Sequence, residues 1–321
     1  MVHQRGQRRT PCVKEAEDMV KKRIKFGYFA SLEQYSPSDA LMQTVEAEQA
    51  GADSIWVDDH FQPWCHAHAH AAHAWVWMAT ALQATRQVFF STAVTCPIFR
   101  YHPAIVAQAF ATLDRLFPGR VGLGIGAGEA INEFPITERW PPVKVRQDMT
   151  VEAVRLIREL WTREGQVAFE GEHFRFRGAS LYTKPIRPIP LYFSGIGPRG
   201  ACLAGRFGDH LITAAQPPSA IAQSVIPNFE KGAREAGRDP SSMERVLLAW
   251  YSIDPDYGRA AEGLRFWAGA MLPAMLKYPV ADPQEVQAHA GYVSHEAIGK
   301  TFFPVTDAEG LIRRVEEYHA A

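Results

Sequence analysis

Short apolar runs rich in β-forming residues alternate with helical patterns along most of the chain. Strands are predicted over seven of these runs, at positions 24–28, 54–57, 88–92, 121–125, 191–194, 210–213 and 246–250. Helices are predicted between and after them, over 36–50, 74–84, 103–117, 148–162, the residues following 198, 218–236 and 307–320. Strands separated by helices at this spacing form right-handed β–α–β units and therefore a parallel sheet.

Seven such units in 321 residues favour a closed (β/α)8 TIM barrel over an open doubly wound sheet. An open sheet is expected to carry a glycine-rich turn after its first strand, and residues 28–31 contain no glycine. An alternating pattern over 166–176 predicts an inserted β-hairpin around Gly171. The eighth strand is expected after helix 307–320, where the chain stops, so the predicted barrel lacks its last strand.

The predicted barrel occupies residues 19–321 as a single domain. Residues 1–18 are polar and basic, and we expect them to be a disordered or loosely attached extension. Arg8 and Arg9 are followed by charged residues instead of an apolar stretch, which argues against a twin-arginine export signal.

The charge balance and the cysteine content limit which kinds of binding partner and which cell compartment are expected. The chain has 34 Lys and Arg against 35 Asp and Glu, a net charge of −1 that argues against nucleic acid or an anionic membrane as the main partner. No apolar run approaches the roughly 20 residues that span a bilayer. The four cysteines form no CxxC pair and no regular framework, which indicates reduced thiols and a cytoplasmic protein.

Reactive groups of such barrels lie just past the C-terminal ends of the strands. His60 and Trp64 follow the second predicted strand closely. A histidine there can act as a general base near neutral pH, and an indole can wall a pocket or stack on a flat ring. The alternative is a structural loop in which both side chains only pack.

A run of alternating histidines, His66, His68 and His70, continues this segment. Such a run raises the hypothesis of a metal-dependent barrel hydrolase. The run lies in a loop, however, and later strand ends offer only scattered further ligands such as His210. We therefore predict no metal site, and a loop in which His70 lines the pocket.

Two glycine-rich segments follow the fourth and fifth predicted strands. Residues 124–128 contain three glycines, which let a backbone approach a planar cofactor, and Glu129 beside them is a candidate acid; a simple turn with a solvated Glu is the alternative. Residues 194–200 open a helix whose N-terminal N–H groups can bind phosphate, with Arg199 as a further contact.

Three motifs together resemble the F420-dependent glucose-6-phosphate dehydrogenases and, equally, the F420-dependent secondary alcohol dehydrogenases of the bacterial-luciferase-like superfamily. The resemblance extends from about Lys25 to the chain end, with order and spacing kept. The motifs are Asp59-His60-Phe61-Gln62-Pro63-Trp64, the segment 99–112, which begins Phe99-Arg100-Tyr101-His102-Pro103, and Gly128-Glu129-Ala130-Ile131-Asn132-Glu133.

The resemblance implies coenzyme F420 as the cofactor, with FMN as the alternative, and a homodimer. It implies that His60 is the base for the alcohol proton, that Trp64 lies over the reacting centre and that Glu129 lies near N1 of the deazaflavin. It also implies a cis peptide bond at Ala93–Val94. The implied cofactor contacts are Asp59, Ala93, Val94, Cys96, Gly128, Asn132, Ser194, Gly195, Ile196 and Gly197. The implied substrate pocket contains His70, Trp250 and Lys277.

One departure from the family bears on the substrate. Sugar-phosphate members bind the phosphate with a Lys shortly after the sixth strand, where residues 213–217 carry no cation, and with an Arg where this chain has Thr301. Only Lys277 remains, and a dianion that loses two of three cationic partners binds much more weakly. A small neutral secondary alcohol or ketone is the expected substrate. The alternatives are a sugar-phosphate dehydrogenase, an FMN-dependent monooxygenase, a metal-dependent hydrolase and a non-catalytic deazaflavin carrier.

Overall fold

Eight parallel strand positions alternate with helices in the computed structural model, which describes residues 23–272 and 274–321. The predicted extension, residues 1–18, lies outside the described residues. The strands of the barrel are β1 Gly27–Ala30, β2 Ser54–Val57, β3 Phe89–Thr92, β4 Leu123–Ile125, β7 Leu191–Ser194, β8 His210–Ala214, β9 Arg245–Leu248, β10 Tyr251–Ile253 and β11 Phe303–Val305. The inserted hairpin consists of β5 Val167–Glu170 and β6 Arg175–Ala179, paired antiparallel.

The barrel strands pair in parallel in the order β1–β2–β3, β4–β7–β8–β9 and β10–β11. Two single bridges, Phe90 to Val121 and Thr95 to Ile125, join the third strand to the fourth. The seventh strand is split into β9 and β10, and each half pairs with a different neighbour. The predicted strand 246–250 therefore corresponds to two shorter strands with a break at positions 249 and 250.

Inward-facing side chains from six strands meet in one cluster, which requires the sheet to curl back on itself. Trp56, Tyr192 and Ile212 are buried there and pack against Phe29, Phe89 and Val246. Aromatic and branched side chains that fill the interior in this way make a packed core and not a pore. The predicted (β/α)8 class is confirmed.

The prediction that the eighth strand is missing is wrong. The strand is β11, and it precedes the last helix, Ala308–Ala320, instead of following it. A β–α barrel that begins with a strand ends with a helix, so nothing is required after that helix. The sequence pattern of β11 is weak, because the strand has three residues and contains Pro304, which cannot donate a ladder hydrogen bond.

Several of the helices begin directly after a side chain that caps them. Ser36 accepts a hydrogen bond from the N–H of Asp39, with Pro37 in the first turn. The helices are Pro37–Gln49, Ala74–Ala84, Pro103–Leu116, Ala130–Thr137, Val143–Thr162, Pro198–Phe207, Pro218–Ala220, Ile226–Glu235, Tyr257–Glu262, Ala274–Lys277, Pro283–Ala290, His295–Thr301 and Ala308–Ala320. A π-helical turn, Ile221–Val225, and two 3₁₀ segments, Pro240–Ser242 and Arg265–Met271, complete the set.

The main core lies between the strands and the surrounding helices. Ile55, Phe90, Phe110, Leu156 and Phe229 are completely buried in it. Each such side chain contributes about 1.5–3 kcal/mol by its removal from water. The described part of the chain has no helix with the length and apolar character needed to cross a bilayer.

Candidate active site

The imidazole of His60 lies between two carboxylates just past the end of β2. Its Nδ1 is 3.1 Å from the carbonyl oxygen of Gln62 and 3.3 Å from Oε1 of Glu33. Its Nε2 is 3.1 Å from Oε2 of Glu129. The imidazole side chain is only 12% exposed, whereas Glu129 is 35% exposed, so the group opens to the outside on the Glu129 side.

Glu33 is a site residue that the sequence analysis missed. It follows β1, its side chain is 1% exposed, and its Oε2 accepts a hydrogen bond of 2.8 Å from the backbone N–H of Trp64. The backbone N–H groups of Leu32 and Glu33 in turn donate to Asp58. The only signal in the sequence is a carboxylate three residues past the end of a strand.

Burial and charge oppose each other at His60. Burial disfavours the imidazolium, but the carboxylates of Glu33, Glu129 and Asp58 outweigh it and raise the pKa of His60 to about 10. Burial likewise raises the pKa of Glu33, against the pull of His60. The short contact between Nε2 and Glu129 requires a proton on one of the two atoms, so the imidazole and this carboxylate share a proton at the barrel mouth.

Aromatic side chains form the wall beside this cluster. Trp64 is buried, with its ring centroid 5.8 Å from that of His60. Trp250, in the break between β9 and β10, packs on Phe29 and on Trp267 at centroid distances of 6.0 and 5.3 Å. The same apolar cluster contains Ile131 from the helix behind Glu129.

The glycines after β4 let the backbone pass where side chains would collide. A Cβ on Gly124 would lie 1.8 Å from the carbonyl oxygen of Thr92, and one on Gly128 would lie 2.6 Å from Sγ of Cys96. Gly128 also has a φ of +77°, in the region that favours glycine. The Ala93–Val94 peptide bond beside this loop is cis, as the resemblance implies.

Asp59 and Asn132 hold the loop that carries His60. Asp59 accepts from the hydroxyl of Thr95 at 2.6 Å and from Arg100 at 2.9 Å. Oδ1 of Asn132 accepts from the backbone N–H groups of Phe61 and Gln62. Both side chains are buried, and the partners described here all belong to the protein.

Arg100 and Glu133, which the sequence analysis quoted only as part of motifs, complete this buried network. Arg100 donates to both oxygens of the Glu133 carboxylate, once through its backbone N–H and once through Nε, and to Asp59. Arg146, missed altogether, is 2% exposed and donates to the carbonyls of Ala127 and Gly128 beneath the glycine loop. Buried guanidinium groups of this kind fix loop geometry through several directed bonds.

In the segment after β7, the backbone at Gly195 lies close to the following helix, whereas the space around Gly197 is open. A Cβ on Gly195 would lie 2.7 Å from Cα of Ala201, whereas one on Gly197 would meet nothing within 4 Å. Ser194 is half-buried and Ile196 is 42% exposed at the start of the ten-residue helix Pro198–Phe207. Arg199, offered above as a phosphate contact, pairs with Asp148.

Two predicted pocket residues are not in contact with the His60 cluster. The side chain of His70 is exposed, and only its backbone N–H reaches Glu33, by bonding to that residue's carbonyl oxygen. Lys277 is exposed beside the ring of Tyr278. The histidine run as a whole is exposed, and the described residues contain no cluster able to hold a metal ion. The described cysteines, 65, 96 and 202, are free.

Residues at this mouth fit a flat cofactor that carries a phosphate. Open space at Gly197, unpaired N–H groups at a helix start and side-chain-free backbone at 124–128 provide room and donors for one. His60 and the partly exposed Glu129 supply the proton-carrying groups beside that room.

Comparison with known proteins assigns the family. The model of the luciferase-like monooxygenase family matches residues 24–321. Two F420-dependent glucose-6-phosphate dehydrogenases, from Intrasporangium calvum and Mycolicibacterium smegmatis, are each 40% identical over 92% of this chain, and the matches cover 89% and 88% of their own lengths.

Solved structures give the same assignment. An F420-dependent secondary alcohol dehydrogenase in complex with an F420-acetone adduct superposes with a TM-score of 0.91 and is 58% identical, over 92% of this chain and 90% of that one. The F420-dependent tetrahydromethanopterin reductase of Methanopyrus kandleri, at 21% identity and a TM-score of 0.72, shares the fold. The chain therefore belongs to the luciferase-like family and, within it, to the group of F420-dependent dehydrogenases.

Proposed function

We propose that this protein is an F420-dependent secondary alcohol dehydrogenase that moves a hydride between a small secondary alcohol and coenzyme F420. The observation that carries the proposal is the His60 cluster: a buried imidazole with one nitrogen fixed by Gln62 and Glu33 and the other facing the mouth beside Glu129. The 58% identity to a secondary alcohol dehydrogenase supports the same substrate class.

The cofactor supplies the redox chemistry. A deazaflavin has carbon in place of the flavin N5, so it accepts and donates a hydride, and the protein contributes geometry and electrostatics. Of the residues described above, the glycine segments 124–128 and 194–197 would hold it, with Asp59, Ala93, Val94, Cys96 and Asn132 in the loops around it.

His60 is the group that takes the hydroxyl proton. A neutral imidazole whose Nδ1–H donates to Gln62 carries its lone pair on Nε2, on the Glu129 side where the cluster opens to the outside. An alcohol bound there would lose its hydroxyl proton to Nε2, and F420 would supply the acceptor for the hydride from the carbinol carbon, which leaves a ketone. Glu33 and Glu129 stabilise the imidazolium that results.

Glu129 would supply or take up the proton that the bound cofactor requires. It is the most exposed member of the cluster, and Asn132 donates to it at 3.2 Å. A carboxylate that contacts an imidazole on one side and open space on the other can pass a proton between them.

The described cations support a neutral substrate. Arg199 pairs with Asp148, Arg146 donates to backbone carbonyls, and Lys277 is exposed. The wall formed by Trp64 and Trp250 is apolar and aromatic. Such a lining favours a short alkyl group over a dianionic phosphate, whose burial requires paired cations.

A sugar-phosphate dehydrogenase is the second candidate, because curated relatives at 40% identity carry that name. Glucose 6-phosphate as the better substrate, with inorganic phosphate as a competitive inhibitor, would favour it over the alcohol.

The test is to mix oxidised F420 with 2-propanol and the purified protein, which should bleach the visible absorbance of the cofactor. The variant His60→Ala should bind F420 normally but lose about 10²–10⁴-fold in kcat. Absence of bleaching with every secondary alcohol, or tight binding of FMN in preference to F420, would overturn the proposal. We further expect a homodimer that acts in the cytoplasm, to be checked by light scattering and cell fractionation.

A further inference from the structure

The loop that carries His60 has no regular secondary structure. Residues 58–64 leave β2 and reach Trp64 without forming a helix or strand. A loop of this kind keeps a reactive geometry only if side-chain hydrogen bonds hold it. What holds it therefore decides how accurately His60 faces Glu129.

The side-chain amide of Gln62 joins this loop to two other segments. Its Nε2 donates to the carbonyl oxygen of Ile131 at 2.9 Å and to that of Ala281 at 2.9 Å. Ile131 lies in the first turn of the helix that begins after Glu129, and Ala281 lies just before helix Pro283–Ala290. One amide thus fastens the catalytic loop to the Glu129 helix and to the late segment that packs on Trp64.

The backbone of Gln62 also contacts His60 and Asn132. Its carbonyl oxygen is the 3.1 Å partner of His60 Nδ1, and its N–H donates to Asn132. A displacement of Gln62 therefore moves the carbonyl oxygen that sets the tautomer of His60. It also moves the helix Ala130–Thr137, and with it the preceding residue Glu129.

We infer that Gln62 is a positioning residue that sets the contact between His60 and Glu129, an inference that rests on the proposed function for its kinetic consequence. Loss of its two donors frees the loop from the Glu129 helix. Near-attack geometry is sensitive at this scale, since a displacement of about 1 Å costs as much as about 10²-fold in rate.

The chain offers a matched control. Gln287 also braces this loop: its Oε1 accepts from the N–H groups of His66 and Ala67, both at 2.9 Å. It acts beyond Trp64, on Cys65, His66 and Ala67, and not on His60 or Glu129. Gln62→Met and Gln287→Met therefore remove comparable braces, one at the reacting groups and one away from them.

The experiment compares these two variants with the wild type by kinetics and by NMR. The resonance of His60, assigned by its loss in His60→Ala, is titrated in isotope-labelled apoprotein. The carboxylates facing His60 are Glu33, Asp58 and Glu129, so a looser Glu129 contact lowers its pKa while the other two remain. We expect Gln62→Met to lower this pKa and to cut kcat with 2-propanol by about 10- to 100-fold, with F420 affinity kept.

Gln287→Met should retain the wild-type titration and near wild-type turnover. Gln62→Leu, which removes both donors and adds no charge beside His60, is the second variant should Gln62→Met fail to fold. An unshifted His60 titration in a folded Gln62 variant, or the same loss in Gln287→Met, would overturn the inference. The NMR titration needs no substrate, so inactivity of the wild type towards alcohols would defeat only the proposed function.

Discussion

A single imidazole with three carboxylates around it defines the chemistry of this protein at the residue scale. Because the carboxylates of Glu33, Glu129 and Asp58 raise the pKa of His60, the imidazole holds its proton to a higher pH than an ordinary histidine. Alcohol oxidation needs the neutral form, whereas ketone reduction needs the protonated form. The same cluster therefore favours reduction at low pH and oxidation at high pH.

The pH profile tests this balance. In wild type, kcat/KM for alcohol oxidation should rise with pH towards the raised pKa of His60, since that quantity reports ionisations of the free enzyme. Glu33→Gln removes a negative charge 3.3 Å from the imidazole, so the pKa of His60 falls and the rising limb moves to lower pH. A limb that stays in place after this substitution would show that His60 does not titrate in the profile.

A second prediction concerns the glycine loop. Gly128→Ala would place a methyl group 2.6 Å from Sγ of Cys96 at a φ of +77°. The loop must shift to relieve it, and F420 should bind more weakly than to a variant that carries only the backbone strain of a positive φ. Fluorescence titration of F420 measures this, with Gly165→Ala as a control, since Gly165 also has a positive φ but no neighbour within 4 Å. Equal affinities in the two variants would contradict a cofactor role for this loop.

Sequence reasoning found the side chains that belong to motifs and missed those that act singly. His60, Trp64 and Glu129 stand in recognisable patterns, and the structure brings them to one mouth. Glu33 is a lone carboxylate after a strand, and its partner His60 is 27 positions away. Only the parallel pairing of β1 with β2 brings the two together, and no local pattern encodes that distance.

At the scale of elements, the helices of ten or more residues and the hairpin followed from capping residues and periodicity, whereas the shorter helices and the closing strand β11 did not. β11 has three residues, and its assignment depends on pairing with β10 rather than on its own composition. Helix Val143–Thr162 begins five residues before the predicted 148, because its polar first turn includes Arg146, whose partners lie in the glycine loop. Tertiary contacts thus override local preference at both places.

Two neighbouring helices are in close contact at Gly205, and a larger side chain there should destabilise the fold. Helices Pro198–Phe207 and Ile226–Glu235 cross so closely that a Cβ on Gly205 would lie 2.0 Å from the carbonyl oxygen of Phe229. Gly205→Ala should destabilise the fold by about 1–3 kcal/mol or more, as overpacking does. Denaturant unfolding measures the change, and an unaltered midpoint would show that the helices separate at no cost.

The whole molecule is a barrel whose last strand and helix complete the wall beside Trp250. Tyr318 from the final helix donates to the carbonyl oxygen of Gln216, and Arg314 lies 4.9 Å over the ring of Phe303. β11 borders β10, which follows Trp250 directly. The sequence predicted this architecture from the alternation of elements, although it misplaced the closing strand.

Removal of the last helix tests that architecture. A chain that ends after residue 306 exposes the outer face of β11 and loses the contacts of Tyr318 and Arg314. We expect loss of cooperative unfolding and of soluble expression, since barrel folds require every wall element to cover the core. A well-folded truncated protein with normal F420 binding would contradict the role assigned to this segment.

The most direct test of the central claim follows the hydrogen itself. The protein is incubated with oxidised F420 and 2-propanol that carries deuterium only on the carbinol carbon, and the reduced cofactor is examined by mass spectrometry. Direct transfer predicts one deuterium on the deazaflavin ring, formed much more slowly when His60→Ala replaces the wild type. Reduced cofactor without deuterium, or label lost to solvent, would contradict the account.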